Sequence, residues 1–255
     1  MPSVAALQQM KRDGRKIVAA VVYDYQMAQI ADRAGVDIVS AGDSVGVTFW
    51  GHDAESDVTL EQMLLVCQAI RRGVTRALVS CDVPTALLEG GADSTVRAAV
   101  RLARQGGADL VKLDASICAR DAIRAVVHEG IPVWAQLGVA TGVEAAMVDR
   151  LVEQAKQLEA DGASLLDFRH SGPVAGPAVV RAVAIPAIGG LGGGPWLDGR
   201  VRSIAAAIGY LASAIDDTTE RYANVAVEAL SAIQTLCDDV RAGRPLRGAP
   251  AAPRS

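Results

Sequence analysis

Short runs of β-branched and aliphatic residues alternate along the chain with alanine-rich stretches of helical spacing, the pattern of βα units in a parallel sheet. Eight runs read as strands, at 17–23, 37–41, 77–81, 109–113, 132–136, 164–168, 186–189 and, more weakly, 201–204. Most are apolar on both faces, as strands covered by helices must be. The stretches 28–34, 60–73, 94–107, 119–130, 143–162 and 175–183 carry helical spacing, and several end in glycine, the usual C-terminal stop. The phrases "ADRAGVDIV", "ARQGGADLV" and "LEADGASLL" each run from a helix tail through a glycine turn into a strand. Residues 1–16 predict a short amphipathic helix without the apolar core or cleavage site of a signal peptide. Residues 217–242 predict a longer one, with Val225, Val227, Ala229, Leu230, Ile233 and Leu236 on its apolar side. That helix either folds back on the domain or meets another copy of the chain. The proline- and arginine-rich stretch 243–255 predicts a mobile tail.

Eight alternations in 255 residues match the roughly 250 residues of a single (β/α)8 barrel, so residues 1–242 are expected to form one α/β domain that includes the C-terminal helix. Hydrophobic residues make up 51% of the chain, yet no apolar run approaches the roughly 18 residues a membrane span requires. A net charge of −4 and a pI near 5.4 give no broad positive field to hold a polyanion, which argues against nucleic acid as a partner. Cys67, Cys81, Cys118 and Cys237 are far apart and form no C-x-x-C pair. That spacing argues against a zinc knot and a secreted disulfide framework, and a reducing cytoplasm is expected.

On this architecture the chemistry sits at the carboxyl ends of the strands. Asp43 and Ser44 follow strand two, Asp82 follows strand three and Asp114 ends strand four. A single aspartate there is ordinarily a helix or turn cap. Three on neighbouring strands would repel one another unless a cation lay between them, and an oxygen-only set suits magnesium or another hard divalent ion. Lys112 stands two residues before Asp114 and shares its face of the strand. Buried there, it needs a negative partner, either the acids or an anionic substrate. The glycine run 189–194 follows strand seven, where it serves as a phosphate cradle or as a plain turn. Trp50, Trp134 and Trp196 either line a pocket or pack in the core.

The segments "YDYQMAQIADRAGVDIVSAGDSVGVTFWGHD", "VTLEQMLLVCQAIRRG", "CDVP", "ADLVKLD", "GIPVWAQLG" and "ERYANVAVEALSAI" resemble ketopantoate hydroxymethyltransferase, in the right order and over most of the chain. The resemblance implies a (β/α)8 TIM barrel of the phosphoenolpyruvate mutase and isocitrate lyase group. It also implies transfer of a one-carbon unit from 5,10-methylenetetrahydrofolate to 2-oxoisovalerate, with magnesium as cofactor and tetrahydrofolate as co-substrate. Carried over position by position, it makes Asp43, Asp82 and Asp114 the metal group, and Ser44 and Lys112 the hold on the substrate carboxylate, with Gln136 also at the substrate. It implies a homo-oligomer as well.

The pattern breaks at several points. The family's glutamate base at the end of strand six falls on Arg169, which cannot act as an ordinary base. Asp167 and His170 stand near it as possible replacements, so Lys112, Asp167, Arg169 and His170 form the candidate catalytic set. The plainer alternative is that His170 is a surface loop residue and Arg169 pairs with one of the acids. Arg169 would also suit a substrate with a second carboxylate or a phosphate. The family's histidine after strand five is Gln136, its following glycine- and lysine-containing loop is missing, and the histidine and aspartate after strand eight are Ala205 and Ala206. These losses leave two alternatives: a magnesium-dependent C–C lyase or aldolase acting without folate, and a non-catalytic paralogue.

Overall fold

The computed structural model describes residues 3–137 and 147–248. The chain divides into two compact units, Met1–Ser203 and Ile204–Ser255. The first holds all eight strands, β1 (Ile17–Val22), β2 (Ile38–Ala41), β3 (Leu78–Asp82), β4 (Leu110–Asp114), β5 (Val133–Gln136), β6 (Leu165–Asp167), β7 (Ala187–Gly189) and β8 (Gly199–Ser203). They form a closed barrel in sequence order, every pairing parallel, with β1 joined to β8 from Ile17 opposite Gly199 to Val21 opposite Ser203. The helices of this unit are α1 (Val4–Arg12), α2 (Tyr25–Ala34), α3 (Leu60–Gly73), α4 (Thr85–Glu89), α5 (Ala92–Arg104), α6 (Arg120–His128), α7 (Val148–Ala160) and α8 (Ala175–Ala182).

Local chemistry sets the helix ends. Asp24 caps α2 by accepting from Met27 N, and Gly35 stops it in the left-handed region at φ 89°. Thr59 and Gln62 form a reciprocal capping box at the start of α3. Between these helices, the buried Asp32 accepts from Thr75 N and Oγ1, Arg76 N and Ala77 N at 2.8–3.0 Å, tying α2 to the entry of β3. Burial would raise the Asp32 pKa, but these bonds outweigh it and hold the carboxyl below its ordinary value.

The floor of the barrel is apolar. Leu7 and Met10 of α1 pack against Ile17, Ile38, Leu78, Leu110, Leu165 and Ile188, one residue from each of six strands, together with Trp134. Lys11 fastens the same helix by donating to Val180 O and Ile185 O at 2.9 Å and pairing with Asp198 at 3.0 Å. Trp134 is therefore a core residue. Trp196 is held by a bond from its Nε1 to Ser171 Oγ and packs on Gly176, while Trp50 is partly exposed.

The helix expected over 143–162 is observed as α7 from Val148; its first residues and the expected loss of the preceding loop fall in 138–146, outside the described residues. No helix among the described residues is long and apolar enough to cross a membrane.

The second unit contains α9 (Ile204–Ala207), a 3-10 turn at Ala212–Ile215 and α10 (Val225–Arg241). The helix expected from 217 starts only at 225. Asp217 Oδ1 accepts from Thr219 N and Oγ1 at 2.9 and 2.7 Å and the carboxylate pairs with Arg221, a local turn that competes with helix. Asn224 then caps α10 by accepting from Val227 N. Val227, Leu230, Ile233, Leu236 and Val240 form an exposed apolar stripe along α10. After it, Arg244 and Arg247 turn back onto the buried Asp239 at 2.7 and 3.2 Å; from 249 on, the expected tail lies outside the described residues.

Candidate active site

The parallel register brings the strand tips level. Asp82 lies opposite Lys112, Asp114 opposite Gln136, and Gln136 opposite Asp167. The tips open on a cavity of about 340 Å³ whose wall includes Asp43, Glu55, Asp82, Lys112, Asp114, Gln136 and Arg169. That size is within the roughly 300–1,000 Å³ of small-molecule sites.

Lys112 is buried at the centre of this wall. Its Nζ lies 2.9 Å from Asp167 Oδ2, 3.8 Å from Asp82 Oδ2 and 5.3 Å from the centroid of the Trp134 ring. Burial alone would lower its pKa; the two carboxylates outweigh that and raise it, so the ammonium stays charged. Asp167 is 1% exposed, and neither of its oxygens has a hydrogen bond of good geometry, so charge rather than directed bonding satisfies it. Its second cation is Arg169, with Nε at 3.5 Å.

Asp82 is the perturbed acid of the group. Burial pushes its pKa up to about 6; the Asp43 charge adds to that, and Lys112 only partly offsets it. Its Oδ1 is buried without a hydrogen-bond partner. Asp43 is raised too, by burial and by the nearby Glu55 charge. Two half-satisfied carboxylates on one wall are a place where a cation lowers the energy.

Asp114 faces the same cavity, but its Oδ1 accepts from Ser116 N and Oγ at 2.8 and 2.6 Å and its Oδ2 accepts from Gln136 Nε2 at 2.8 Å. Among the described residues, no three His, Cys, Asp or Glu side chains group closely enough to form a metal cage by themselves. The three acids expected together thus divide into a pair, Asp43 and Asp82, and a third engaged by its neighbours.

Ser44 is oriented from behind. Its Oγ is 3.0 Å from Tyr23 Oη, which is 3.3 Å from Ser203 Oγ, and the Tyr23 ring packs on Phe49 at 5.0 Å. Gly42 is required before this pair, because a Cβ there would lie 2.8 Å from Val21 Cγ1 and 3.1 Å from Ser44 Oγ. His170 is not on the cavity wall; it is exposed and packs against Gly192 of the glycine run.

Glu55 escaped the sequence reading. It stands in a 3-10 turn, Glu55–Asp57, beyond the π-helical turn Gly46–Trp50 that follows β2. An inspection confined to strand tips does not reach it. The one sequence cue to it is its place two residues after the "GHD" segment.

A family model described as ketopantoate hydroxymethyltransferase matches residues 2–245. The chain is similar to the 3-methyl-2-oxobutanoate hydroxymethyltransferase of Cytophaga hutchinsonii, at 31% identity over 92% of this chain and 90% of that one. It is similar to the enzyme of the same name from Alkalilimnicola ehrlichii, at 33% identity over 94% and 91%, and from Cyanothece sp., at 33% over 94% and 96%. Among solved structures, 2,3-dimethylmalate lyase, a member of the PEP mutase/isocitrate lyase superfamily, superposes with a TM-score of 0.64 at 17% identity over 99% of this chain and 92% of that one. A phosphonopyruvate hydrolase in complex with oxalate and Mg++ gives 0.63 at 15% identity over 100% and 92%. These structural likenesses carry the barrel fold.

Proposed function

Since the chain belongs to the ketopantoate hydroxymethyltransferase family and is an enzyme of that type, we propose that it transfers a one-carbon unit from 5,10-methylenetetrahydrofolate to a 2-oxo acid through the enolate of that acid. The observation that carries this reading is the pairing of Asp43 and Asp82 beside the buried Lys112 on a single cavity wall.

The donor set fits magnesium, which needs only one or two protein carboxylates and completes its shell with water and substrate oxygens. Asp43 and Asp82 would hold it, and the orphaned Asp82 Oδ1 is the atom with most to gain. When bound, the ion supplies the positive charge that acidifies the carbon next to a keto group.

The protein's own groups do the rest. Lys112, kept charged by Asp167 and Asp82, is the receptor for the substrate carboxylate, and the Ser44 hydroxyl, fixed by Tyr23, is its hydrogen-bonding companion. Asp167 serves by positioning Lys112 rather than by touching substrate. Removal of the C3 proton falls to Glu55. It lines the cavity, it is not needed for the ion, and its side chain has no hydrogen bond or ion pair among the described residues, whereas Asp114 is engaged by Ser116 and Gln136. With Arg169 at the family's glutamate position, the proton acceptor has moved from strand six to the loop after strand two.

The four thiols are free, which supports a reducing cytoplasm as the compartment. The apolar stripe of α10 supports assembly into a homo-oligomer.

The test is proton–deuterium exchange at C3 of 2-oxoisovalerate with magnesium, followed by product formation on adding methylenetetrahydrofolate. Magnesium-dependent exchange and folate-dependent product are expected. Absence of exchange with every 2-oxo acid offered would overturn the enolate chemistry, and exchange without product would overturn the folate step.

A further inference from the structure

Within the reading that a 2-oxo acid binds at this wall, we propose that the acid carries a second anionic group at its far end and that Arg169 is the receptor for that group. The geometry points to it in three ways.

The backbone that carries Arg169 is tightly packed. It follows Phe168, which is fully buried at the end of β6, and the backbone there is pressed against Gly189 so closely that a Cβ on that glycine would overlap Phe168 O and C. The guanidinium is then anchored on one edge only, by Nε facing Asp167 Oδ2 at 3.5 Å. Its two terminal nitrogens have no hydrogen-bond acceptor among the described residues, the Asp82, Asp43 and Glu55 charges act on it only at longer range, and the side chain lines the cavity and is 43% exposed. An arginine fork held by its Nε edge, with the other edge presented to a cavity, is the arrangement that receives a carboxylate or phosphate bidentately.

The lining also limits where a second anion could sit. Four acids line the cavity, Asp43, Glu55, Asp82 and Asp114, against two cations, Lys112 and Arg169. With Lys112 assigned to the 2-oxo acid carboxylate, Arg169 is the other positive group on this wall. The alternative is costly. An apolar tail such as the isopropyl group of 2-oxoisovalerate, set against Arg169, would take water from the terminal nitrogens and return no acceptor. A 2-oxo acid with a distal carboxylate or phosphate would satisfy them.

The experiment is calorimetric titration of the full chain, with magnesium, by 2-oxoglutarate and by 2-oxoisovalerate, repeated on Arg169→Met and Arg169→Lys. The expected result is that 2-oxoglutarate binds at least tenfold more tightly, the effect of about one charge-assisted hydrogen bond. Arg169→Met should close that gap, and Arg169→Lys should retain part of it. Equal or weaker binding of 2-oxoglutarate by the unsubstituted protein would overturn the proposal, as would a gap that persists in Arg169→Met. Deuterium exchange at C3 on the same samples reports separately on the enolate reading. If the gap is found without exchange, the receptor role of Arg169 stands and the chemistry assigned above does not.

Discussion

Lys112 and Asp167 reach across the intervening strand β5 to meet at 2.9 Å, and both are buried. Each is the other's principal partner, so the pair behaves as one unit. Replacing Asp167 by leucine strands the Lys112 charge and is expected to cost about 3–5 kcal/mol, as breaking a buried pair does. Changing both, Lys112→Met with Asp167→Leu, should recover much of that stability while abolishing activity. Urea unfolding of the two single variants and the double variant measures the coupling; strictly additive losses would contradict it.

Asp82→Ala removes a carboxylate oxygen set that has no hydrogen-bond partner at Oδ1. Magnesium affinity should fall by more than the roughly 10–100-fold typical of residues one step removed from an ion. Titration with magnesium followed by calorimetry decides the matter, and an unchanged binding curve rules out this acid as a ligand.

Glu55→Gln keeps size and polarity and removes the ability to accept a proton. Exchange at C3 should slow by about 10²–10⁴-fold, the range of general-base catalysis. Binding of magnesium and of the 2-oxo acid should persist, since Glu55 holds neither. An exchange rate within a few-fold of the unsubstituted protein would return the base role to another group.

Asp32 gives a pH signature far from the site. Its pKa is held below the ordinary 3.8 in the folded chain, so the unfolded chain binds its proton more readily. The stabilisation is therefore complete above about pH 4 and is lost as pH falls through the depressed folded value. Asp32→Asn should cost about 1–3 kcal/mol at neutral pH by leaving buried N–H groups without their acceptor. The variant should also show a shallower decline in acid. Melting curves from pH 3 to 7 would reveal any parallel, undiminished acid limb.

Ile233 is 58% exposed and Leu236 50% exposed on α10. Changing both to glutamate should leave the monomer folded and shift sedimentation to a smaller species. An unaltered sedimentation coefficient would overturn the assembly proposed for this stripe.

The barrel was legible because most strands are largely apolar runs and several of the helices between them stop at glycine, a signal set by local physics; β8, with Arg200, Arg202 and Ser203, was correspondingly faint. Asp43, Asp82 and Lys112 were legible for a related reason: polar residues at or near the ends of apolar strands tend to face the mouth, whereas Gln136 and Arg169 were singled out only by the family resemblance. What stayed hidden depends on side-chain partners. Nothing in the order of residues says that Asp114, rather than Asp43 or Asp82, will turn to Ser116 and Gln136; a surface-loop place for His170 was one of the two readings open from sequence, and it settles against Gly192. Glu55 was hidden for a third reason, since a loop returns to the site by its tertiary path. The late start of α10 had a visible cue in Asp217 and Thr219, whose side-chain turn competes with helix at short range.

The seam between β1 and β8 has a consequence for how the protein is made. Ile17 finds its β8 neighbour only when Gly199 has been synthesised, and Lys11 likewise waits for its acceptors at Val180 and Ile185, 169 and 174 residues further on. One edge of β1, already paired with β2 on the other, thus remains open until residues 199–203 exist. Contacts so distant in sequence make cylinder closure a late step of folding, and nascent chains halted before β8 should remain protease-sensitive around β1.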